Sequence, residues 1–286
     1  MNFKKLILKI FNFSFIFHAS CDKNFDTYRA GLPVRISLIH LNVGISHLYI
    51  ATYCRSAKNF LIWHQLKFKD VAQPVDPKVI DDKVNAFSLS LSGKSDIHDA
   101  QVDVLKEKKA DNKDAISGAY NKASFFLAFI TSVVGLLAFL LPTISEYHSQ
   151  SFFKIAILWF LVLSSLMNVL SAGFFIFQIL NVKGYLRRDF KELSSSNGDN
   201  FELLYHYFEW KSGEAERVNI ISLLRNAIKY SMAAFCFAIL LWSFLQVFPT
   251  EKIIDQKVLS IPVYYFVENS TSLTFEGIVK NETVLI

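Results

Sequence analysis

The chain has 286 residues, of which 52% are hydrophobic, 15% aromatic and only 19% charged, with 28 phenylalanines and a net charge of +5. Soluble domains carry roughly a quarter charged residues, so this composition excludes a disordered chain and argues against an ordinary cytosolic enzyme. Three cysteines exclude a disulfide scaffold.

The chain opens with MNFKKLILKIFNFSFIFHASC, a basic start, an apolar stretch and a Cys after small residues, the features of a secretory or lipoprotein signal. Lys9 interrupts the apolar run, and cleavage would invert the charge pattern described below. An amphipathic or buried N-terminal helix is therefore expected. The stretch VRISLIHLNVGISHLYIATY is apolar and β-branched, which fits a strand or a buried helix. From Val71 to Lys94, Pro74, Pro77 and a Ser/Asp/Lys-rich run read as linker. Residues 1–100 are thus taken as an N-terminal cytoplasmic region of mixed, undetermined fold.

From Ile97 to Lys122 the sequence is rich in Ala, Lys, Asp and Glu, without Pro, and predicts a helix that runs into the membrane. Three charge-free windows follow, between Lys122 and Glu146, Lys154 and Lys183, and Lys229 and Glu251. A span needs about 20 apolar residues to cross about 30 Å of hydrocarbon. Each window qualifies, which predicts spans near 124–141, 155–180 and 230–248. Together with the cytoplasmic insertion 183–229 they form a three-span module over 101–248. Within the insertion, Asp199 and Glu202 make a capping-box-like start for FELLYHYFEW. A break is expected at Ser212-Gly213, and the helix resuming at Glu214 should continue into the third span.

Lys106, Lys108, Lys109, Lys113 and Lys122 precede the first span, and Lys183, Arg187, Arg188 and Lys191 follow the second. Arg217, Arg225 and Lys229 precede the third. Positive charge concentrates on the cytoplasmic side, which places the N-terminus and 183–229 inside and the 145–153 loop and C-terminus outside or in the periplasm. The tail 249–286 reads as two strands, Ile261–Val267 and Leu273–Val279, around a turn at Glu268–Thr271. The expected fold class is mainly α: three transmembrane helices extended into a cytoplasmic helical stalk, with a small C-terminal β-hairpin.

No metal-ligand pattern emerges from the seven histidines. His98-Asp99 resembles the dyad of metal phosphohydrolases, but the further ligands such a site needs are missing. No phosphate-binding glycine loop or nucleophile elbow occurs. The expectation is no enzyme, no catalytic residue, no metal, no cofactor and no nucleic-acid partner. The spans hold no Asp, Glu, Lys, Arg or His, which counts against an ion-coupled transporter.

Neutral polar residues are arranged more tellingly. Ser164, Asn168, Ser171 and Gln178 succeed one another at four, three and seven positions and share one face of the second span. Two readings stay open: hydrogen-bonding glue between helices, or a face that lines a water-filled path in an assembly. Thr131 with Gly135, and Ala128 with Ser132, give the small-xxx-small spacing of closely packed membrane helices. Phe201, Tyr205, Tyr207, Phe208 and Trp210 form an aromatic-rich helix suited to packing or to stacking on a nucleotide base or partner protein.

A basic helix, GAYNKASFFLAFITSVVGLLAFLLP, a short outer loop, a second span, a helical insertion and RVNIISLLRNAIKYSMAAFCFAILL follow in that order. Over about residues 105–248 this resembles the transmembrane effector modules of bacterial anti-phage systems, the Pycsar-type effectors and their relatives. The most specific points are Lys122-Ala123 and Asn226-Ala227; Tyr120 and Asn121 stand where that family usually carries an acidic residue. The resemblance implies an inner-membrane protein held inactive until a cyclic nucleotide or a signalling protein triggers self-association in the lipid bilayer and loss of membrane integrity. A membrane scaffold or accessory subunit that docks a cytoplasmic partner is the alternative from another class, and a small-molecule transporter a third.

Overall fold

A computed structural model describes residues 12–20, 35–43, 46–54, 58–68, 71–72, 75–91, 98–181, 200–249, 258–263 and 273–278. Among these are six strands and four α-helices. The strands β1 (Ile16–Ser20), β2 (Arg35–Val43), β3 (Ser46–Cys54) and β4 (Asn59–Lys67) precede helices α1 (Pro77–Ser90), α2 (His98–Ser145), α3 (Phe152–Leu180) and α4 (Phe201–Val247). Strands β5 (Val258–Val263) and β6 (Leu273–Ile278) follow. The chain divides into two compact units, Met1–Val247 and Phe248–Ile286.

The N-terminal region holds an antiparallel sheet in the order β1-β2-β3-β4. Its register pairs Arg35 with Cys54 and Cys54 with Asn59 at one end, and Ser46 with Lys67 at the other. β-Branched and aromatic residues suit these pleated positions. Ala51 has a φ of 56°, and the burial pattern changes phase there, so Tyr49 and Thr52 are both buried. The buried Ser37 and Thr52 hydroxyls satisfy each other at 2.7 Å.

Part of the stretch read as linker is helix α1. Asp76 caps its N-terminus by accepting from the Lys78 amide at 3.0 Å, and Pro77 occupies the first turn, where a missing N–H costs nothing. Ile80 and Val84 then pack with Val102, Leu105, Leu203, Leu204 and Phe208 in the stalk core. The expected break at Ser212-Gly213 is likewise absent, because α4 runs unbroken from Phe201 to Val247. A glycine costs a helix interior only about 1 kcal/mol, and here Gly213 lies under Asn112 of α2.

The three long helices are each apolar enough to cross a membrane. At 1.5 Å per residue the 48 residues of α2 and 47 of α4 reach about 70 Å, roughly twice the hydrocarbon thickness. Contacts between α2 and α4 advance together, from Lys109–Glu209 to Phe129–Phe235, so these helices run parallel. Those between α3 and α4 run oppositely, from Phe160–Phe237 to Phe175–Tyr230, so α3 is antiparallel. Ala119, Ala123, Ala172, Ala227, Ala234 and Ala238 are buried in the seam, and small residues allow such close approach in lipid. Only 17% of the most apolar window of α2 is buried, against 39% in α3 and 44% in α4. The first span therefore presents most of its apolar surface outward.

In the second unit β5 and β6 pair antiparallel, Val258 opposite Ile278 and Val263 opposite Leu273. The first strand begins three residues before the expected Ile261. The turn expected at Glu268–Thr271 lies outside the described residues. The helix expected in the N-terminal stretch gives way at its end to strand β1, Ile16–Ser20; residues 1–11 and 182–199 lie outside the described residues.

Candidate functional site: the polar face of the second span

The helical repeat brings Ser164, Asn168 and Ser171 to one side of α3, and all three are buried. Gln178, two turns further on, is half-buried and joins none of their hydrogen bonds. The N-terminal region covers Asn168 and Ser171. The Asn168 side-chain amide donates to the Phe13 carbonyl and to the Ser164 carbonyl, both at 2.7 Å. Ser171 donates to the Met167 carbonyl at 2.8 Å and accepts from Asn42 of β2 at 3.1 Å. Ser164 Oγ is buried and has no hydrogen-bond partner among the described residues. Ser165, one position off this face, ties α3 to α4 by donating to the Ala234 carbonyl at 3.0 Å.

Aromatic contacts surround these bonds. Phe15 meets Phe160 at 6.2 Å, Phe13 meets Tyr230 edge-on at 6.1 Å, and Phe68 meets Phe175 edge-on at 5.1 Å. Beneath the sheet His18, His40 and His47 cluster around Tyr49, with His40 Nε2 and His47 Nδ1 3.0 Å apart. Asn42 Oδ1 lies 2.8 Å from the same His47 nitrogen. A polar chain thus runs from the sheet interior through Asn42 to Ser171. Sequence spacing locates the polar face but gives no sign of its cover, because the partners lie more than 120 positions away.

In the stalk, Lys109 of α2 pairs with the buried Glu209 carboxylate, which also accepts from Tyr205 at 2.8 Å. Lys106 pairs with exposed Glu202 at 3.1 Å, and hydrogen bonding to that ammonium holds the Glu202 carboxyl below its usual range. Burial, and then Lys109 and Lys106, push the His206 imidazole down. A cavity of about 400 Å³ lies between Lys106, Lys109 and Lys113 on α2 and His206, Glu209 and Glu216 on α4. The aromatic residues of α4 pack within the fold: Phe208 is buried, Tyr207 stacks on Phe87 of α1 at 4.1 Å, and Trp210 lies under Lys108 and Lys211. Among the described residues no group of three His, Cys, Asp or Glu side chains is placed to hold a metal ion.

No family model matches the chain, and neither does any curated protein or solved structure.

Proposed function

We propose that the chain is a bacterial inner-membrane effector that self-associates and breaches the membrane when activated, in defence against phage. In this reading the N-terminus and the stalk are cytoplasmic, and the signal, a cyclic nucleotide or a signalling protein, reaches the spans through the stalk helices. The observation that carries it is the covered polar face. Asn168 and Ser171 lie at membrane depth beneath a segment from another part of the chain. Removing that cover would present a hydroxyl and an amide in a stretch without ionisable side chains, which suits assembly around a polar path better than ion-coupled transport. Support for self-association comes from the outward surface of α2 and α3. Between them is an apolar trough of about 510 Å³ whose lining includes the small residues Thr131 and Gly173.

The test is inducible expression in a bacterial host, with growth and a membrane-potential dye followed together, with and without phage infection. Depolarisation should precede growth arrest, and Asn168→Leu should abolish it at unchanged protein level. Cells that stay polarised through infection at full expression would refute the effector reading. They would favour the second reading, a scaffold whose stalk docks a cytoplasmic partner. The specific feature behind that reading is the cavity of about 390 Å³ bordered by Phe87, Val104, Tyr207 and Trp210.

A further inference from the structure

Three histidines share one buried site beneath the sheet. His18 of β1, His40 of β2 and His47 of β3 are only 4–6% exposed, and their ring centroids follow one another at 4.5 and 5.1 Å. Tyr49, fully buried, stacks on His40 at 5.0 Å. Among the described residues, α4 faces this cluster with Lys229 and Tyr230, and α3 with the neutral Asn168 and Ser171. The cluster therefore sits at the seam between the sheet and the polar face of the second span.

The hydrogen bonds at this seam assign its protons. Ser171 gives its hydrogen to the Met167 carbonyl, so it accepts from the Asn42 amide nitrogen. That turns the Asn42 oxygen toward His47 Nδ1, which must carry a hydrogen to meet it. His40 Nε2, 3.0 Å from the same nitrogen, is then a bare lone pair, and the His40 hydrogen serves its bond to the Ser14 backbone. This arrangement holds only while the imidazoles are neutral. A proton added at His40 Nε2 would meet the His47 N–H head on. Relieving that clash moves the His47 hydrogen to Nε2 and turns Asn42 over, and a turned Asn42 no longer donates to Ser171. Imidazolium charge would also be buried beside the Lys229 ammonium, where like charges repel without water to screen them.

We propose that His18, His40 and His47 form a proton-operated latch, whose protonation frees the N-terminal sheet from α3 and uncovers Asn168 and Ser171. Burial first, then the neighbouring imidazoles and Lys229, hold His18 and His47 well below the ordinary value of 6.5. Burial, with Lys229 next, lowers His40 to about 3. Groups lowered in this way stabilise the closed form fully above pH 6.5. That contribution is lost as the pH falls below this value, because the open form takes up the protons. Each histidine should favour opening by about tenfold per pH unit below that point, and the three act together.

This inference rests on the covered face in the proposed function, not on a part in defence. Full-length protein in detergent is footprinted with hydroxyl radicals in steps from about pH 7.5 to about pH 5.5 and read by mass spectrometry. Tyr49 is the probe, and exposed Tyr53 on the same strand sets the radical dose. Buried Tyr147, in a separate core cluster, reports general unfolding. Oxidation of Tyr49 relative to Tyr53 should rise about tenfold or more over that range, with Tyr147 unchanged. His18→Gln, outside the Asn42 chain, should make the rise several-fold smaller, and His18→Gln/His40→Gln/His47→Gln should abolish it. If the triple variant is already open at neutral pH, the single variant decides. A flat Tyr49 signal, a parallel rise at Tyr147 or an undiminished rise in His18→Gln overturns the latch. No membrane is present in this measurement, so that failure leaves the effector reading to the depolarisation assay, and cells that stay polarised leave the latch standing.

Discussion

Glu209 sits nearly inaccessible between Lys109, which reaches in from α2, and the Tyr205 hydroxyl. Removing one member of a buried pair costs more than removing both, because the remaining charge keeps its desolvation cost. Lys109→Met should therefore destabilise the stalk by about 2 kcal/mol, at the scale of hydrogen bonds to charged groups. Lys109→Met/Glu209→Leu should recover most of that loss. Thermal unfolding of the detergent-solubilised protein, followed by circular dichroism, checks the pair of outcomes. Equal destabilisation by the single and double variants would mean that the carboxylate is not held by this lysine. Asn168 illustrates the same logic in the spans, where its amide serves two carbonyls at once. The sequence exposes Asn168 as an oddity in an apolar run, but the partner, a backbone carbonyl of Phe13, carries no side-chain signature.

Helix α4 shows how an element can override a local break signal. Ser212-Gly213 reads as a stop, yet both residues are buried and helical, because packing against α2 outweighs the propensity cost. A Cβ built on Gly213 meets the Asn112 side chain at 3.5–3.6 Å, an ordinary contact. Gly213→Ala should therefore stabilise the helix by about 0.5–1 kcal/mol, seen as a higher melting temperature. A lower one would show that the stalk helices need the closest approach that glycine permits. The start of α1 was legible in principle, since Asp76-Pro77 is a capping residue followed by proline at the first helical position. Pro74 and the surrounding Ser, Asp and Lys residues masked it. The sheet was legible only as strand or buried helix, because VRISLIHLNVGISHLYIATY lacks clean alternation, and the phase change at Ala51 explains that irregularity.

For the whole molecule, exposure of an apolar side chain does not by itself mark a membrane-facing surface; the charge around it separates one exposed valine from another. Val134 and Val104 lie on the same helix and are similarly exposed, at 45% and 50%. Val134 is in the middle of the charge-free window, whereas Val104 stands among Asp103, Lys106 and Glu107 in the stalk. An arginine at the centre of a span costs about 2.5–3.5 kcal/mol of insertion free energy. Val134→Arg should deplete the membrane-integrated protein, and Val104→Arg should leave it unchanged, as read by alkaline extraction and blotting. Equal depletion would mean that the bilayer is not centred on that window.

The three apolar helices were determined by sequence alone, because lack of charge over about 20 residues is a local property that any fold must respect. The polar face of α3 was determined in the same way, through helical periodicity. The tertiary structure decided what meets that face: Phe13 and Asn42 from the N-terminal region lie more than 120 residues away, and no local pattern encodes such a pairing. It also decided that α2 and α4 run parallel and that α4 continues through Gly213. Those outcomes depend on which apolar surfaces bury one another, and a side chain's partner across a seam is a property of the packed chain rather than of its neighbours in sequence.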